Sequence, residues 1–163
     1  MSSLLTDEVK KALVPAPGGL TLIVTVGNVL RGDDGIGPYI ASRVIDPKPG
    51  IRILDVADRP EDSIDDAIDL HPAKTVILDA ADFSGKPGET RVIPQELIPD
   101  STLSTHTFPL KILTKILEQE TGSAVFFIGI QPEAVFWGEG LTESVRRTAE
   151  EIILFLTRSK PDA

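Results

Sequence analysis

The sequence contains no cysteine, and that one absence removes disulfides, thiolate metal sites and a cysteine nucleophile together. Histidine is almost as scarce, with His71 and His106 the only two. Basic residues are in the minority, 16 Lys and Arg against 25 Asp and Glu, giving a formal net charge of -9. A surface of that sign repels phosphate backbones, so nucleic acid is excluded as a partner; the acidity by itself needs no more than solubility as its reason. No apolar run approaches the roughly 20 residues of a membrane-spanning helix, and no membrane insertion is expected. The N-terminal segment holds Asp7 and Glu8 and lacks the sustained apolar core of a secretory leader. A cytoplasmic protein is the expectation.

What remains is a chain of 163 residues, 41% of them hydrophobic, which suits one domain burying roughly 70% of its unfolded surface. Its most informative stretch begins at Thr21. Residues 22–26 form a short run of apolar and β-branched residues without clean alternation, as expected of a strand covered on both faces. Gly27, Gly32, Gly35 and Gly37 then surround the acidic pair Asp33 and Asp34, and Pro38 is placed to open a helix. A glycine-rich turn between strand and helix first suggests a phosphate cradle. Neither the G-x-G-x-x-G pattern nor a G-K-[ST] ending is present, however, and two carboxylates at a helix mouth repel phosphate while attracting a cation. The loop therefore reads as facing a cation. Its glycines are expected to serve backbone geometry, at least one with positive φ, while Gly37 alternatively allows close packing of the helix on the sheet.

Ahead of this loop, Leu5, Val9 and Leu13 lie four apart on a short helix, read as an appendage. Residues 1–19 are thus a helix and linker before a core of residues 20–157 within one domain of 1–163. After the loop, strands are predicted at 51–56, 75–80, 89–93 and 124–130, and helices from Pro60, over 108–120 and over 142–157. The helix after Pro60 turns Ile64, Ala67 and Ile68 inward, and its acidic residues read as a solvated face. Alternating strands and helices specify an α/β protein, a three-layer α/β/α sandwich on a mostly parallel sheet of about five strands. In such sheets working groups collect beyond the carboxyl ends of the strands. Asp79, at the end of the 75–80 strand, therefore shares an edge with the loop of Asp34, although an Asp there often only caps a turn. His106 sits in an irregular polar stretch, where a lone histidine is by default structural or solvated, and His71 reads as an ordinary helix end.

The run GNVLRGDDGIG resembles the opening signature of the hydrogenase maturation endopeptidases, most closely the type serving hydrogenase 3. LDAADFSGKPGETRVI, with Asp79 and the turn Pro87-Gly88-Glu89, extends the resemblance, as do STHTFPL around His106 and Gly129-Ile130-Gln131-Pro132-Glu133. Together they cover the chain from about Leu20 to Leu156. The resemblance implies an endopeptidase that removes a C-terminal extension from a nickel-loaded hydrogenase large-subunit precursor. It assigns a divalent metal, nickel supplied by the precursor, to Asp34, Asp79 and His106, with Asp34 and Asp79 as catalytic carboxylates; Asp33 and Asp82, close by in sequence, are read as supporting groups. Two hard oxygens and one imidazole suit a first-row divalent ion and leave coordination positions open. Either a carboxylate activates water or the metal polarises the carbonyl. The acidic edge is expected to be exposed, so that amide substitution there changes stability little, and a monomer is favoured.

Two other readings fit parts of this pattern. A receiver domain also carries an acidic pair after its first strand and an aspartate after its third, as a magnesium-dependent phosphoacceptor site. It requires a lysine after the fifth strand, where this chain has Gln131, Pro132 and Glu133. A metal-binding maturation chaperone without catalysis is the other, and an assay of precursor cleavage separates it.

Overall fold

In a computed structural model, which describes residues 3–99 and 108–159, ten regular elements follow one another. They are α1 (Asp7–Leu13), β1 (Thr21–Val26), α2 (Ile36–Arg43), β2 (Ile51–Ala57), α3 (Ser63–Leu70), β3 (Lys74–Ala80), β4 (Thr90–Ile93), α4 (Leu110–Thr121), β5 (Ala124–Ile130) and α5 (Glu143–Leu156). The strands form one five-stranded sheet in the order β2-β1-β3-β5-β4. β1 runs parallel to β2 and β3, β3 runs parallel to β5, and only the edge strand β4 is antiparallel.

The lack of alternation in β1 has a direct cause. Ile23 points into a cluster with α1, α2 and α5, built on Leu5, Val9, Leu13, Ile36, Ile40 and Ile152. Leu22, Val24 and Val26 point the other way, into a cluster with Ala67 of α3 and Leu110, Leu113 and Leu117 of α4. Both faces are dry, so both sets of alternating positions must be apolar. The expected three-layer sandwich is therefore present.

Two details depart from the sequence expectation, and a third accords with it. The helix after the first loop starts at Ile36 and is led in by a 3-10 turn, Gly32–Gly35. Pro38 then lies within the first helical turn, where its missing N–H is no loss because those groups have no intrahelical acceptor. Secondly, α1 is no appendage: Leu5, Val9 and Leu13 are buried in the same cluster as α2 and α5. Its start is fixed by Thr6, whose hydroxyl accepts the Val9 N–H at 3.1 Å. Thirdly, the strand order places the functional edge. From β1 the chain leaves through α2 on one face, and beyond β3 it leads towards α4 on the other. Connections that diverge from adjacent parallel strands open a crevice at their carboxyl ends.

Candidate active site

Asp34 and Asp79 stand at that crevice, one in the turn after β1 and one near the end of β3. The path to Asp34 begins at Gly27, whose φ of +148° is one that side-chain-bearing residues rarely adopt. A Cβ at Gly27 would also collide with the Asp34 carbonyl oxygen. The loop folds back so tightly that the Asn28 N–H reaches Asp34 twice, at 3.2 Å to its carbonyl oxygen and 3.0 Å to Oδ2. Asn28 closes its own turn by accepting the Leu30 N–H on Oδ1 at 2.9 Å. The glycine-asparagine pair thus aims Asp34: glycine permits the reversal and asparagine holds it. The expected positive φ is present at Gly32, at +55°, and Gly37 proves to be a packing glycine, because a Cβ there would run into the Val26 backbone.

Asp34 and Asp79 are both buried, at 0% and 1% exposure. The expectation of an exposed acidic edge is therefore corrected: both carboxylates are buried, and the turn carrying Asp34 packs against β3. His106, the third expected ligand, lies outside the described residues, in the connection between β4 and α4. Among the described residues no group of three or more His, Cys, Asp or Glu side chains is arranged to hold a metal ion. Asp34 and Asp79 each carry hard carboxylate oxygens, the donor type that divalent ions take.

Asp33 does something the sequence did not announce. It is fully buried, and its Oδ2 accepts the N–H groups of Glu133 at 2.8 Å and Ala134 at 2.9 Å. Its Oδ1 accepts the Thr142 N–H at 2.7 Å, and the Thr142 hydroxyl lies within 3.0 Å of both oxygens. One carboxylate therefore staples the turn of Asp34 to the loop between β5 and α5. The staple is reinforced by main-chain bonds from Gly32 N to Gly138 O at 3.0 Å, Gly138 N to Leu30 O at 2.8 Å, and Asp33 N to Ala134 O at 3.1 Å.

Asp82, the other expected supporting group, is exposed and engages its own loop. It accepts the Ser84 N–H at 3.0 Å and the Gln131 amide at 3.1 Å, and these two donors hold its carboxyl below the usual carboxylate range. Gln131 in turn accepts the N–H groups of Phe83 and Gly85, so one buried amide organises the loop after Asp79. The contacts of Asp33 and Gln131 span about a hundred and about fifty residues of sequence respectively, and no local pattern signals them.

The sequence model of HycI, hydrogenase maturation protease, matches residues 41–159. The chain belongs to the hydrogenase maturation protease family. Its resemblance to relatives reaches further towards the N terminus than that match. The Hydrogenase 3 maturation protease of Escherichia coli K12 is 33% identical over 133 residues, spanning 80% of this chain and 85% of its own. A crystal structure of the Hydrogenase 3 maturation protease superposes with a TM-score of 0.76 at 32% identity, covering 87% of this chain and 92% of that one. The [NiFe] hydrogenase maturation protease HycI from Thermococcus kodakarensis KOD1 gives a TM-score of 0.76 at 26% identity, covering 91% and 95%. This maturation protease is thus a peptidase by family, and neither a receiver domain nor a non-catalytic chaperone finds support.

Proposed function

We propose that this protein is an endopeptidase that removes a C-terminal extension from the nickel-loaded large-subunit precursor of a hydrogenase. The observation that carries the reading is the pair of buried carboxylates, Asp34 and Asp79, supplied by neighbouring strands at the diverging edge of a maturation-protease fold. Peptide hydrolysis needs a group that takes a proton from the attacking water and returns it to the departing amine nitrogen. In this proposal one of the two carboxylates performs both transfers, so no proton is left over, and the other fixes the water. The nickel carried by the precursor belongs to the substrate. Asp34, Asp79 and His106 would hold it, and when bound it supplies a Lewis acid near the scissile carbonyl. No described helix is long and apolar enough to cross a membrane.

The test is to incubate the wild type, Asp34→Asn and Asp79→Asn with nickel-free and nickel-loaded precursor, following the C-terminal fragment by mass. Cleavage is expected only of nickel-loaded precursor, and each variant should lose about a hundredfold or more. Equal cleavage of nickel-free precursor, or full activity in either variant, would overturn the assignment.

A further inference from the structure

Large apolar side chains exposed singly are ordinary, and Ile45 and Leu97 are of that kind. Four others lie on the two loops that the Asp33 carboxylate staples together: Trp137 at 77% exposure, Leu30 at 50%, Val29 at 46% and Phe136 at 44%. The backbone pairing of Leu30 with Gly138 sets Leu30 beside Trp137, and the Phe136 ring rests on Gly32, where a Cβ would stand 2.8 Å from it. The four make a ridge on the loop that, four residues after Leu30, presents Asp34.

Arg31 lies in this ridge. Its guanidinium carbon is 5.1 Å from the centroid of the Trp137 ring. Arg31 forms no ion pair among the described residues, and its buried Nε has no hydrogen-bond partner there. In a chain of net charge -9, an unpaired cation stacked on an exposed tryptophan invites a ligand that is apolar and carries an acceptor of negative charge. Trp and Arg are also the residue types that dominate binding energy at interfaces. The loops are already locked by Asp33 and by three main-chain bonds, so little ordering entropy remains to be lost on association.

We propose that Val29, Leu30, Phe136 and Trp137, with Arg31 among them, form the surface on which the hydrogenase precursor docks, receiving an apolar segment of it that bears a carboxylate. This rests on the proposed function, and it assigns substrate capture to a place outside the carboxylate pair. The ridge is continuous with the catalytic turn, so a precursor seated on it brings a flanking segment to Asp34 and Asp79.

Trp137 is the only tryptophan, which makes the test specific. The protein is produced with 5-fluorotryptophan, and its single fluorine resonance is followed as nickel-free precursor, which is not consumed, is added. In parallel, kcat and KM for cleavage are measured for the wild type, Trp137→Ser, Trp137→Phe, Phe136→Ser and Arg31→Gln. The resonance is expected to shift or broaden on addition of precursor. Trp137→Ser and Phe136→Ser should raise KM about tenfold or more with kcat within about twofold, while Trp137→Phe keeps most of the affinity. The KM of Arg31→Gln should be higher and less sensitive to salt than that of the wild type. An unmoved resonance, or wild-type KM in the three truncated variants while the wild type cleaves, would overturn the docking surface and leave the proposed function standing. A shifted resonance without cleavage by the wild type would overturn the function and keep the surface. A resonance that moves with protein concentration alone, with a dimer in sedimentation, would assign the ridge to a second copy of this chain and overturn the proposal.

Discussion

Replacing Asp33 by Asn changes one oxygen for an NH2 group and removes one charge, in a pocket built entirely of donors. Oδ1 of Asp33 accepts the Thr142 N–H at 2.7 Å, and Oδ2 accepts the N–H groups of Glu133 and Ala134 at 2.8 and 2.9 Å. An asparagine can present its carbonyl oxygen to only one of these sides. The better choice keeps Glu133 and Ala134 and turns the NH2 group towards the Thr142 N–H, donor against donor. At least one bond to a charged acceptor is then lost, about 1.5 to 3 kcal/mol, and the remaining bonds become neutral and weaker. A loss of about 2 to 3 kcal/mol follows. For a domain of this size each kcal/mol lowers Tm by roughly 2 to 4 °C, so the fall should be about 5 to 10 °C. Thermal unfolding followed by circular dichroism, with a guanidinium midpoint as a second measure, reads it directly. Thr142→Val combined with Asp33→Asn should cost less than the sum of the two single changes, since both act on the same contact. A Tm within about 2 °C of wild type, or strict additivity with Thr142→Val, would refute the staple.

Gly27→Ala should be damaging in two ways, because the φ of +148° is unfavourable for alanine and its Cβ would push the Asp34 carbonyl aside. A loss of about 2 kcal/mol or more together with a large loss of cleavage is expected, and wild-type Tm and activity would contradict the geometry. Tyr39, the only tyrosine, has its pKa raised by burial and by donating its hydroxyl to Glu150 at 2.8 Å. A pKa raised in the folded state contributes stability that is whole below the ordinary value of about 10 and lost as pH rises through the folded value. The wild type should therefore lose guanidinium midpoint from about pH 10 upward, and Tyr39→Phe should lose less over the same range. The ionisation itself is followed by absorbance at 295 nm, and identical alkaline limbs in both proteins would remove Glu150 and burial as causes.

The elements were legible in the sequence because each carries its own physics. The uninterrupted β-branched run of β1 states that both faces of the strand are covered, and the inward positions of α5, with Val145, Ala149 and Ile152 buried, follow from a period of 3.6. The glycines around Asp33 and Asp34 announced an unusual backbone because alternatives to glycine at positive φ are few. From these local rules the sandwich, the shared edge of Asp34 and Asp79 and the presence of a special turn could be deduced.

What the local rules do not contain is anything decided by partners far away in the chain. Asp33 and Asp34 are adjacent and chemically identical, yet the first is consumed by N–H groups a hundred residues on while the second is delivered to the crevice. Carboxylates on loops beyond strand ends suggest an exposed acidic edge, yet Asp34 and Asp79 are both buried. Exposure is a property of what packs over a residue. By itself the sequence determined which segments become strands and helices and that the turn after β1 must be glycine-rich, since propensity and periodicity act within a few residues. Only the tertiary structure decided which carboxylate of the pair becomes the staple, and that two distant loops lie side by side, because those outcomes depend on where the folded sheet brings its loops together.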